Sequence, residues 1–126
     1  MVLAENVSEF VVKPKGFWAL PLPMMPVAPS EKHSNIFASP VADIVIASGR
    51  RTLPYIKAFG GMKDGPFTVF LKDPRHSHNK IDLIWAPNHD GLAGGNVLTT
   101  LTAPHTITNE VLAEYRPLAR LSLIHI

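Results

Sequence analysis

Ser48, Gly49, Arg50 and Arg51 are the stretch of this chain best suited to chemistry: two guanidiniums follow a glycine and precede a helix start. Pro54 has no N–H and fits only within a first helical turn, so a helix is predicted over residues 52–59 with Thr52 as its N-cap. The N-terminal end of a helix carries about half a positive charge and favours anions. Two arginines placed before it call for something negative: a phosphate, a carboxylate or an acidic side chain from another domain. The plainer alternative leaves both arginines facing water, or paired with Asp43 or Asp73.

A second group lies in "DPRHSHNKIDLIWAPNHDG", where His76, His78 and His89 accompany Asp73, Asp82 and Asp90. No three of them stand at a zinc-type interval, so no metal site is assigned and the histidines are read as surface loop residues. His89 and Asp90 are the only acid–base candidates, because a histidine titrates near neutrality and a carboxylate beside it raises its affinity for protons. Ser48 has no G-x-S-x-G context, which removes the nucleophile argument. Neither a P-loop nor a G-x-G-x-x-G fingerprint occurs, and "GLAGGN" reads as a turn.

The elements that must position these residues alternate in type. Residues 44–48 form an apolar run read as a strand covered on both faces, as in a parallel sheet. Further strands are expected at 67–72, 81–86 and 96–101, with an earlier one at 9–13. A helix is expected over 109–121, capped by Thr108 and complemented by Glu110, with Pro117 interrupting or ending it. The first helix stops at Gly60-Gly61. This is an α/β chain, Rossmann-like, with a mostly parallel sheet.

Parallel strands would bring Ser48–Arg51, Asp73, Arg75, Asn88–Asp90, Thr99 and Thr100 to one carboxyl edge, where open α/β sheets bind ligands. The short connection between residues 72 and 81 leaves an antiparallel hairpin open, and that would send Asn88–Asp90 to the opposite edge.

Residues 1–40 read as a first strand plus a proline-rich connector, and 41–126 as the Rossmann-like domain. Phe17, Trp18, Met24 and Met25 give the connector an apolar side, expected to pack on its own domain, with a membrane surface or a partner as the alternatives. At 126 residues and 46% apolar, the chain can build a core. Its net charge of +2 is scattered rather than striped, which disfavours nucleic acid despite a pI near 9.1. It contains no cysteine, and this fits a reducing compartment. Acidic residues in "MVLAENVSEF" argue against a secretory signal, and four prolines between Gly16 and Ser30 argue against a spanning helix.

Taken together, "DIVIASGRRTLPYIKAF", "TVFLKDPR", "IDLIWAPNHDGL", "GGNVLTTLTAPHTIT" and "NEVLAEY" resemble the mitochondrial-fission (elongated-mitochondria) family of plants and many bacteria. The resemblance runs from about Val7 to about Pro117. It implies most of the N-terminal half of a GT-B, glycosyltransferase-like fold, truncated at both ends, with the C-terminal half as its missing partner. By position, it aligns Ser48-Gly49-Arg50-Arg51, Asp73-Pro74-Arg75, the segment from Pro87 to Asp90, and the segment from Asn96 to Thr100 with the family's motifs. It further implies a nucleotide-sugar or similar anionic ligand in an interdomain cleft, no cofactor, and little activity in this half alone.

Bacterial members carry a nucleoside-diphosphate-sugar epimerase label. That chemistry needs a dinucleotide fingerprint and a Tyr-x-x-x-Lys pair, and neither Tyr55 nor Tyr115 has the lysine. The alternative is a scaffold that recruits partners in membrane or mitochondrial fission. The resemblance implies a cytoplasmic location with peripheral membrane contact, at the mitochondrial outer membrane beside a dynamin-type protein in a plant member.

Overall fold

The structure is a computed structural model that describes residues 7–16, 26–27, 35–38, 42–75 and 79–116. Four strands form one sheet in the order β1-β2-β3-β4: β1 Ile44–Ser48, β2 Phe67–Leu71, β3 Leu83–Pro87 and β4 Val97–Thr100. Every neighbouring pair is parallel. The connection 72–82 is therefore a crossover and not a hairpin, so all four carboxyl ends share one edge. Helices α1 (Asn35–Ala38), α2 (Leu53–Phe59) and α3 (Asn109–Tyr115) and two 3-10 turns, Arg50–Thr52 and Asn88–Asp90, complete the described elements.

The core lies on one face of the sheet. Leu53 and Ile56 of α2 pack with Phe70, Ile84 and Ala86, all of them at most 3% exposed. Burial of a side chain such as Ile56, Phe70 or Ile84 contributes about 1.5–3 kcal/mol, so these few contacts fix α2 across β1, β2 and β3. Along α2, Phe37 from α1 meets Tyr55 and Phe59, with ring centroids 6.2 and 4.9 Å away. The connector thus sends one aromatic onto the helix, and Val27 within it is buried. Phe17, Trp18, Met24 and Met25 lie outside the described residues.

Three expectations change. Residues 9–13 form no strand; Phe10 and Val11 are exposed, and no neighbouring strand holds them. The run 44–48 is covered on one face only, with Ile44 56% and Ile46 64% exposed, because α2 lies on the opposite side. The side chains of Phe67 and Leu98, on the same open face by register, are exposed as well. Finally, β3 begins at Leu83 and not Ile81, because Asp82 is engaged in a side-chain clamp with Thr68.

That clamp closes the amino-terminal end of the sheet. Asp82 Oδ2 accepts hydrogen bonds from the Thr68 amide at 2.8 Å and from its hydroxyl at 2.7 Å, while the Asp82 amide donates to Thr68 Oγ1 at 3.0 Å. Thr68 is fully buried, and these bonds satisfy polar groups that the core would otherwise strand. Asn96 adds a bond from Nδ2 to the Ile81 carbonyl at 2.8 Å. Among the described residues no helix is long and apolar enough to cross a membrane.

Candidate functional site

The carboxyl edge is stepped. Ser48, Leu71, Trp85 and Leu98 share a register level, and β3 and β4 continue to Pro87 and Thr100 beyond it. Two residues of strand rise about 7 Å, so the exits of β3 and β4 stand as a wall above the exits of β1 and β2. Neighbouring exits lie about 5 Å apart and those of β1 and β3 about 10 Å apart. Arg50, Arg75 and Asp90 all follow strands on this one edge.

At the exit of β1, Gly49 adopts a φ of +86° and a 3-10 turn over Arg50–Thr52 leads into α2. The arginines therefore form the first turn, where the sequence had placed them ahead of the helix. Thr52 does not cap by its side chain. Its hydroxyl turns back towards the strand, 3.0 Å from the Ser48 carbonyl and 2.8 Å from that of Gly49, which ties the exit of β1 to the turn. Pro54 occupies the first turn of α2, as its missing N–H requires. Both arginines are exposed.

Asp43 precedes β1 at the amino end of the strand, a strand's length of about 16 Å from the arginines, so it is no partner for them. Asp73 is committed locally: its Oδ1 accepts from the Arg75 amide at 2.6 Å, forming an Asx turn that holds Arg75 at a φ of +58°. Among the described residues, Arg50, Arg51 and Arg75 make no ion pair. The water-facing alternative survives in that respect; pairing with Asp43 or Asp73 does not.

The wall carries different chemistry. A 3-10 turn over Asn88–Asp90 leaves β3 and ends at Gly91, which is left-handed at +65°. His89 Nε2 lies 3.6 Å from Asp90 Oδ1, with the His89 side chain 76% exposed and that of Asp90 18%. Asp90 Oδ2 is buried and accepts no hydrogen bond among the described residues. An unpaired buried carboxylate oxygen is costly, by about 1–3 kcal/mol for a polar group, and marks Asp90 as an unused acceptor. Thr100 is engaged: its hydroxyl accepts from Trp85 Nε1 at 2.8 Å and donates to the Thr102 carbonyl at 2.7 Å. Thr99 is exposed at the level of Ala86.

Among the described residues no group of three His, Cys, Asp or Glu side chains could hold a metal, and His76 and His78 lie outside them. The sequence reading missed Lys72, which sits beside Gly49 in register and has a φ of +96°. No residue pattern announces a strained lysine.

A family profile described as Mitochondrial fission ELM1 matches residues 2–124. The chain belongs to the mitochondrial fission ELM1 family. The matched range spans both the proline-rich connector and the parallel sheet, with the Ser48–Arg51, Asp73–Arg75 and Pro87–Asp90 stretches of the edge inside it. A search of curated proteins and one of solved structures each found no match.

Proposed function

We propose that the carboxyl edge of this ELM1-family chain binds the diphosphate of a nucleotide-sugar or a similar anionic ligand, in a cleft facing the other half of a GT-B, glycosyltransferase-like protein. One observation carries this reading: Arg50, Arg51 and Arg75 leave adjacent strands on a single edge, and none makes an ion pair among the described residues. Three cations gathered on one edge repel one another, and a diphosphate relieves that repulsion. Arginine also offers two parallel N–H donors to a phosphate. The glycine at position 49 leaves its Cβ side open, with no atom within 4 Å, so a ligand has room at the exit of β1.

The wall suits the neutral end of such a ligand. Asp90, through the Oδ1 that faces His89 and not the buried Oδ2, is the acceptor for a sugar hydroxyl or a departing proton, His89 stands beside it, and Thr99 offers a hydroxyl.

The test is calorimetric titration of uridine diphosphate into the full-length parent with both halves of the cleft, as wild type and as the Arg50→Ala, Arg51→Ala double variant. Binding by the wild type that weakens at least about tenfold in the double variant supports the reading, since each lost charge-assisted bond is worth about 1.5–3 kcal/mol. No binding by the wild type refutes it and turns attention to a partner-recruiting scaffold.

A further inference from the structure

Three non-glycine residues among those described have positive φ: Asp64 at 56°, Lys72 at 96° and Arg75 at 58°. Asp64 lies in the exposed turn after α2, and aspartate tolerates the left-handed well. Arg75 sits in the same well with its amide held by Asp73. Lys72 differs. Its φ lies outside that well, in a region where a Cβ meets its own backbone and which glycine alone occupies freely.

The neighbouring strand supplies the control. Ser48 and Leu71 are partners in register, so Gly49 and Lys72 leave β1 and β2 at the same level. Both turn through positive φ, 86° and 96°. At β1 the residue is glycine, which adopts that backbone freely; at β2 it is a lysine, which does not. Its amide donates to the Trp85 carbonyl at 2.8 Å, a backbone bond that does not involve the side chain. Lys72 is exposed and makes no ion pair among the described residues. Packing, pairing and turn chemistry each leave its side chain unaccounted for.

We infer that Lys72 is a binding residue whose ammonium contacts the anion held at this edge, between the arginines that follow β1 and Arg75. The inference rests on the diphosphate-binding reading above. An ammonium acts as a point charge towards phosphate oxygens, which complements the forked guanidiniums on either side. The strained backbone is retained because a glycine there would remove the charge.

The test uses inorganic pyrophosphate as the probe, titrated calorimetrically into wild type, Lys72→Gly, Lys72→Arg and the Arg50→Ala, Arg51→Ala double variant, with thermal unfolding of each. Lys72→Gly is expected to unfold at a temperature no lower than wild type, because strain is relieved, yet to bind pyrophosphate about tenfold more weakly. Lys72→Arg should stay within about threefold of wild type, since charge is kept. Pyrophosphate binding by Lys72→Gly at wild-type strength, with the arginine double variant impaired, overturns the Lys72 inference alone. Weaker binding accompanied by a lower unfolding temperature also overturns it, because the lysine would then be structural. A wild type that ignores pyrophosphate overturns this inference and the diphosphate reading together.

Discussion

Replacing Asp82 with alanine tests the clamp that sets the register of β2 against β3. The substitution removes both bonds accepted by Asp82 Oδ2, from the Thr68 amide and hydroxyl, and keeps the Asp82 amide bond to Thr68 Oγ1. The hydroxyl is free to rotate, but the amide of fully buried Thr68 is left without its acceptor. A stranded amide costs about 1–3 kcal/mol and a lost hydroxyl bond about 1 kcal/mol. Asp82 itself is solvent-exposed, so water recovers part of this, and the expected loss is about 2–3 kcal/mol. At about 3 °C per kcal/mol for a chain of this size, Tm should fall by about 6–9 °C.

The pH dependence gives the same residue a second signature. The Thr68 hydroxyl, and then its amide, hold the Asp82 carboxyl below its ordinary value. A depressed folded-state pKa means that the stabilisation is present above the unfolded value, about 3.9, and is lost as pH falls through the folded one. The gap between wild type and Asp82→Ala should therefore be full at pH 7 and close progressively below about pH 4. Urea unfolding followed by far-UV circular dichroism, repeated across that range, measures it. An alanine variant within about 0.5 kcal/mol of wild type at neutral pH, or a gap indifferent to acid, refutes the clamp.

Gly60→Ala should destabilise the chain by about 1–3 kcal/mol, read as a lower urea midpoint, because the added Cβ collides with the Lys80 carbonyl oxygen, a backbone atom with little room to yield. Thr108→Ala removes the acceptor for the Val111 amide, a bond of 3.3 Å, and a lost N-cap weakens a helix by about 1 kcal/mol. Every described side chain of α3 is exposed, so that loss should stay local: faster hydrogen exchange at Val111 and Leu112 with the global midpoint unchanged.

The edge was legible because its logic is topological. Strand runs followed by polar, glycine-bearing turns at residues 48–51, 73–75 and 88–90 need only parallel pairing to converge, and alternation of strands and helices already favoured it. Thr108 was legible for a local reason, since an N-cap threonine with glutamate in the first turn states its geometry within three residues. The Thr68–Asp82 clamp was not legible. Those residues are far apart in sequence, and only the register of β2 and β3 brings them to one end of the sheet. Lys72 was hidden for a different cause, since a φ of +96° at a lysine leaves no trace in the residue type.

The open face of the sheet shows how an apolar run misleads. Ile44 to Ala47 carry no polar residue at either parity, and such a run is read as covered on both sides. Yet the faces separate cleanly by parity: Val45 and Ala47 pack against the core, while Ile44 and Ile46 are exposed. In a parallel sheet that grows in one direction, right-handed crossovers place every connecting helix on the same side, and the order β1-β2-β3-β4 grows in one direction throughout. The position of α2 on the side of Val45 and Ala47 follows from that rule. A connection that reversed the order would place a helix on the other face, and among the described residues none does. The exposed isoleucines are thus a consequence of strand order, which hydropathy along the chain does not encode.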